Sequence, residues 1–123
     1  MLPEKGKAGK SFSKSYGGKP DRNPPVANFR LTGLAEKDME SIAEYTLKEW
    51  GEKQNHIYLD EMESRFHLLA NQPGLGRKCD RLGSGLLRSE VGRHVAFFRQ
   101  ADGGIVIIRI LHQSMLPDGF DLE

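Results

Sequence analysis

The chain has 123 residues, with 18 Lys+Arg against 17 Asp+Glu. That length fits one domain, and the single Cys79 excludes an internal disulfide framework. No apolar run reaches the roughly 18 residues of a membrane span, and the N-terminus has no apolar signal core, so a reducing, cytoplasmic location is expected.

The balanced total hides an uneven distribution. Residues 1–27 carry six Lys/Arg against Glu4 and Asp21, residues 28–71 carry five basic against nine acidic side chains, and residues 72–112 carry seven against three. An acidic segment therefore lies between two basic ones. Fields of this kind act on partner choice more than on fold.

Taken in chain order, residues 1–27 are rich in Gly, Lys, Ser and Pro with no apolar period. They cannot bury enough surface to offset ordering, so a disordered basic extension is expected. Lys and Gly without interleaved aromatics are a weak nucleic-acid signal, and the bland reading of a dispensable tail is preferred. Residues 28–123 form the domain. "NFRLT" (28–32) reads as a short strand, with Thr32 able to cap the helix that follows. Helix one is expected over 34–50, with Ala35, Met39, Ile42, Ala43, Thr46 and Trp50 on one face. Gly51 is a natural stop. Helix two follows over 52–71, with Tyr58, Met62, Phe66 and Leu69 as its buried stripe. The short link makes the pair an antiparallel hairpin.

Pro73, Gly74 and Gly76 then turn the chain, and Arg77, Lys78 and Arg81 fall in an open loop. "LLRSEV" (86–91), "RHVAFFRQ" (93–100) and "IVIIRILH" (105–112) read as strands. The last two are joined at Asp102-Gly103, a pair suited to a type I′ turn. The fold class is α+β, in the order β-α-α-β-β-β: a helical hairpin on one face of a small antiparallel sheet.

The last two strands are apolar on both faces, and two helices cover only one of them. Strict alternation puts Ile105, Ile107, Arg109 and Leu111 together, with Phe98 beside them, on a face left open. Arg109 is costly to bury alone but well suited to a carboxylate. The expectation is a partner-binding groove of Phe98, Ile105, Ile107, Arg109 and Leu111. Closure by the C-terminal tail, or by a second copy, is the plainer alternative.

The stretches "FRLTGLAEKDMESIAEYTLKEWG", "NQPGLGRKCDRL" and "GLLRSEVGRHVAFFR…IVIIRILHQSM" resemble the ParE toxins of the RelE/ParE superfamily over about residues 28–115. The joint order of Leu31-Thr32, Ala35, Asp38, Trp50-Gly51, Pro73, Gly76-Arg77, Gly92-Arg93-His94 and Arg109…His112-Gln113 carries the likeness. Ser114 stands where many relatives have Arg, and the chain beyond Pro117 is atypical. The resemblance implies a type II toxin that inhibits DNA gyrase by binding, of the kind used in plasmid stabilisation. It also implies a ParD-like ribbon-helix-helix antitoxin whose C-terminal segment wraps the toxin and through which alone it meets DNA. Arg77, Arg88, Arg93, His112 and Met115 become the target-facing candidates. That C-terminal segment also gives the expected groove an occupant.

The alternative is a RelE-like nuclease that cuts ribosome-bound mRNA. Such chemistry needs cations for the phosphate and an acid/base for the 2′-hydroxyl. Arg77, Arg88, Arg93 and Arg109 supply cations, whereas no tyrosine is expected on the sheet, which leaves His94 and His112. As a plainer role, His112 orders the end of the last strand. Cys79 has no neighbouring His, no His/Cys spacing suggests a metal, and "GLGRKCDRLGSG" lacks the Gly-Lys-Ser/Thr of a phosphate loop. No cofactor, metal ligand or catalytic residue is therefore assigned.

Overall fold

The computed structural model describes residues 27–116. The expected basic extension lies outside the described residues, apart from Ala27, which packs against the core.

Five strands form among the described residues: β1 (Asn28–Leu31), β2 (Arg77–Lys78), β3 (Leu87–Val91), β4 (His94–Ala101) and β5 (Gly104–His112). They lie side by side in the order β1-β5-β4-β3-β2. The hairpin turns are tight. Val91 pairs with His94 across Gly92-Arg93, and Ala101 pairs with Gly104 across Asp102-Gly103. Gly92 and Gly103 hold φ of 59° and 76°, which a side chain would resist.

Between β1 and β2 runs the helical segment Gly33–Asn71, broken at Gly51 by φ 89° and ψ 170°. The two arms are α1 (33–50) and α2 (52–71). In a straight helix, Met39 and Phe66 would stand about 40 Å apart at 1.5 Å per residue. Here they line one small cavity with Phe29 and Leu31, so the arms fold back on each other as a hairpin. Thr32 caps α1 as expected, its hydroxyl accepting the Ala35 N–H at 3.1 Å.

Both arms close on one face of the sheet. Ala35, Met39 and Ile42 of α1 join Met62, Phe66 and Leu69 of α2 over Phe29, Phe98, Ile105, Ile107 and Ile110. The Phe29 and Phe66 rings meet edge to face at 5.3 Å. Each fully buried side chain of this size stabilises the fold by about 1.5–3 kcal/mol. Trp50, expected on the buried stripe, is 62% exposed because it sits at the hairpin tip beside Gly51. On the other face Val95 and Phe97 pack with Cys79 and Leu86 from the loop after β2, and Ile108, Leu111 and Leu116 lie against them.

Two features depart from the sequence reading. The sheet is mixed, because β1 pairs parallel with β5, Asn28 opposite Gly104 and Leu31 opposite Ile107. A parallel pair needs a long connection, and here the helical hairpin and the rest of the sheet provide it. The second feature is a bulge. Phe97 pairs with Arg109 but Phe98 pairs with Ile107, which leaves Ile108 as an extra residue in β5. The bulge shifts the alternation, so Ile105, Ile107 and Ile110 all face the helices while Ile108 and Leu111 face away.

Candidate functional site

β1 ends opposite Ile107, but β5 runs on to His112. The exposed outer edge of this overhang is met by side chains from the start of the helical segment. Thr32 Oγ1 donates to the Ile108 carbonyl at 2.9 Å. Asp38 then takes three bonds. Its Oδ2 accepts the Ile110 N–H at 2.8 Å and Arg109 Nε at 2.8 Å, and its Oδ1 accepts Arg109 Nη2 at 2.9 Å. A planar fork on a carboxylate is the strongest form of such a pair. The Asp38 side chain is 14% exposed and that of Arg109 is 40% exposed. Asp38 therefore binds α1 to the last strand across 71 residues of sequence. Its hydrogen bonds raise the pKa of Arg109, and the carboxylate's charge adds to the effect.

A second cluster lies at the same end. The Tyr58 hydroxyl on α2 touches the Val91 carbonyl at 3.1 Å and His94 Nδ1 at 2.7 Å, and accepts the Arg93 N–H at 3.0 Å. All three contacts are satisfied if the hydroxyl donates to Val91 and accepts from a protonated His94 Nδ1, and we assign the neutral imidazole that way. Burial pushes the His94 pKa down to about 4, and the neighbouring His112 adds to this. Burial likewise raises the phenol of Tyr58. The His94 and His112 rings meet edge to face at 5.1 Å. His112 Nδ1 accepts the Ser114 N–H at 3.0 Å and contacts Ser114 Oγ at 2.9 Å, which caps the short turn Gln113–Met115.

Between these clusters lies a cleft of about 480 Å³. Ser41, Ile42 and Tyr45 wall it on the α1 side, and Arg109, Leu111, His112 and Met115 on the other. Tyr45 and Met115 are 59% and 66% exposed. Asp38 is the one carboxylate among its lining residues, and it is bound to Arg109.

The residues expected to line a groove separate. Phe98, Ile105 and Ile107 are at most 1% exposed under the helices, so they line no open surface. The bulge and the choice of covered face account for that error. Arg109 sits at the cleft with a carboxylate from its own chain, and Leu111 lines the same cleft. Of the target-facing candidates, His112 and Met115 also line it. Arg77 is exposed on β2, not in an open loop, and Arg93 is exposed at the β3–β4 turn. Arg88 is 1% exposed, its Nη1 3.8 Å from Glu90, so it presents no surface to a target. Sequence reasoning missed Asp38 and Tyr58. Asp38 had a visible signal, a carboxylate one turn into a helix that must pack on an arginine-bearing strand. Among the described residues no group of three His, Cys, Asp or Glu could hold a metal ion, and no helix is long and apolar enough to cross a membrane.

The arrangement is that of a small α+β domain with a helical hairpin on one sheet face and an open cleft at the overhang of its central strand. A solved structure described as the chromosomal ParDE TA system from P. aeruginosa shares this fold, with a TM-score of 0.60 at 17% identity over 71% of this chain and 96% of that one. Sequence carries the relationship further. A family model described as the ParE toxin of type II toxin–antitoxin systems, parDE, matches residues 29–117. The chain is 36% identical over 87 residues to Toxin ParE1 of Caulobacter vibrioides, which covers 71% of this chain and 90% of that protein. It is 32% identical over 93 residues to Toxin ParE1 of Mycobacterium tuberculosis, covering 75% and 95%. The chain belongs to the ParE toxin family.

Proposed function

We propose that this ParE-family toxin acts by binding: it inhibits DNA gyrase, blocks replication, and is neutralised by a ParD-like antitoxin through which alone it meets DNA. One observation carries the binding reading. The side chains that RNA cleavage would draw on already serve the fold: two of the five Arg109 donors bind Asp38, the Tyr58 hydroxyl meets three neighbours, and His112 Nδ1 accepts from Ser114. General acid–base work requires a group free to exchange its proton with substrate. Family membership supports the toxin role and the pairing with an antitoxin.

The nuclease alternative draws on His94, His112 and Arg109 bordering one cleft. Two assays on the purified chain separate the readings: gyrase supercoiling and cleavage, and cutting of ribosome-bound mRNA. Gyrase inhibition is expected, with a modest effect at most from His112→Ala. Expression without antitoxin should arrest replication and induce a DNA-damage response. Untouched gyrase, with mRNA cleavage lost in His112→Ala, would overturn the proposal in favour of the nuclease.

A further inference from the structure

We propose that residues 10–16 of the chain's own basic extension dock, extended, in a groove between α2 and β3. They run antiparallel to α2, with Phe12 on Ile57, Lys14 at Asp60 and Glu61, and Tyr16 on Leu68. The inference is independent of the target and of the antitoxin.

The groove has a volume of about 580 Å³. Ile57, Asp60, Glu61, Arg65 and Leu68 of α2 form one wall, and Glu90 at the end of β3 stands on the other. Steps of three and four residues put the α2 side chains in one stripe. Its ends are apolar and open: Ile57 is 41% exposed and Leu68 is 39% exposed. Carboxylates lie between them. Glu90 has Arg88 Nη1 at 3.8 Å, and Asp60 has the exposed ring of His56 at 3.5 Å. No described residue forms an ion pair with Glu61. Arg65 is the one Lys or Arg among the lining residues.

One stretch of the extension departs from its Lys and Gly character. In "KSFSKSY" (10–16), Lys10, Phe12, Lys14 and Tyr16 alternate with three serines. Alternate side chains of an extended chain share a face, so Phe12, Lys14 and Tyr16 present ring, cation and ring in line. At about 3.3 Å per residue the two rings start about 13 Å apart. Ile57 and Leu68 lie about 16 Å apart at about 1.5 Å per residue, a difference that two aromatic side chains span. Asp60 and Glu61 follow Ile57 by about 5–6 Å, and Lys14 follows Phe12 by about 7 Å. In the opposite direction Lys14 would fall on Arg65, a like charge. The direction follows from that.

The tether reaches. Ala27 packs against the core, and Phe29 meets Phe66, two residues from Leu68. The chain from Tyr16 to Ala27 spans up to about 36 Å. A short flexible tether holds its segment at an effective concentration on the order of millimolar, so contacts too weak to recruit a separate partner still populate the docked form. The family match begins at residue 29, so the segment adds to the shared toxin domain and is no part of it.

The test uses the full chain, labelled with nitrogen-15, with a nitroxide attached at Ser11→Cys or at Ser15→Cys. Both serines face away from the groove in the proposed pose, and the native Cys79 is 0% exposed, so the nitroxide goes to the new position. The label at 11 should broaden the Ile57 and Asp60 amides most, and the label at 15 those of Arg65 and Leu68, each at least about threefold more than Ser41 in the other cleft. Lys14→Glu should cut this broadening at least about threefold. Raising salt to about 1 M, where the screening length is about 3 Å, should weaken it in the same direction. Broadening no stronger along α2 than at Ser41 would overturn the proposal, as would broadening that survives Lys14→Glu. The reverse order of the two labels would overturn the antiparallel placement. Equal broadening when nitroxide-bearing chains are mixed with nitrogen-15 chains lacking the nitroxide would give the groove to a second copy and overturn it too. Neither gyrase nor antitoxin enters the measurement, so its failure is separate from failure of the proposed function.

Discussion

Replacing Asp38 by Ala tests whether one carboxylate holds the overhang of β5 in place. The substitution removes the acceptor of the Ile110 N–H and both bonds to Arg109. Ile110 is 3% exposed, so its N–H gains little from water. An orphaned buried donor costs about 1–3 kcal/mol. The Arg109 pair adds about 0.5–1 kcal/mol, because a guanidinium that remains 40% exposed is well screened. The expected loss is about 1.5–4 kcal/mol, a large share of the roughly 5–15 kcal/mol typical of a native domain. At about 4–8 °C per kcal/mol, the thermal midpoint should fall by about 6–32 °C. Asp38→Asn should lose about half as much, since one oxygen can still accept the Ile110 N–H. Urea unfolding followed by circular dichroism would measure all of this, and a cycle with Arg109→Ala would isolate the pair at about 0.5–1 kcal/mol. An Asp38→Ala variant within about 0.5 kcal/mol of wild type would refute the reasoning, because surface substitutions elsewhere do no more.

Tyr58→Phe should destabilise by about 1–2 kcal/mol, because the Arg93 N–H and the His94 ring lose their shared partner; an unchanged urea midpoint would mean that water replaces the hydroxyl at no loss. The lowered pKa of His94 makes stability fall with acid: the unfolded chain takes up a proton near pH 6.5 and the folded one only near 4, so the loss accrues between these values. His94→Gln should flatten that window relative to wild type, and an identical pH profile would count against it. Gly104→Ala would drive a Cβ into the Asn28 carbonyl and should cost about 2–3 kcal/mol by loosening β1, visible as faster amide exchange at Arg30.

Most of the architecture was readable from local chemistry. Gly51 announced the break between the helical arms, Asp102-Gly103 the last turn, and the apolar period of both arms their buried faces. What failed was long-range or silent in composition. Nothing about Ile108 differs from its neighbours, yet as a bulge it decides which residues of β5 face the helices. Alternation carried straight through it grouped Ile105 and Ile107 with Arg109 and Leu111, and reading that group as the open face misplaced the two isoleucines, which the helices bury. The two-residue strand Arg77–Lys78 is too short to carry a period and exists only because β3 lies beside it. Arg109 was read as suited to a carboxylate brought by a partner or by the C-terminal tail, whereas Asp38 of its own chain holds it. That pairing was beyond reach, because Asp38 meets it only after the whole sheet has assembled.

The neighbouring positions of β1 and β5 have a consequence for the moment of synthesis. β5 lies at the interior of the sheet, between the first strand among the described residues and the strand made just before it. Until residues 104–110 have left the ribosome, β1 has no partner, Asp38 has no arginine, and the helical arms lack Ile105, Ile107 and Ile110 to close upon. Contacts of such long sequence separation also make folding slow, since the chain must close a large loop before it gains them. A nascent chain interrupted earlier is therefore not a weaker version of this domain but an unassembled one, and the cell meets the folded protein only once translation of the last strand is complete.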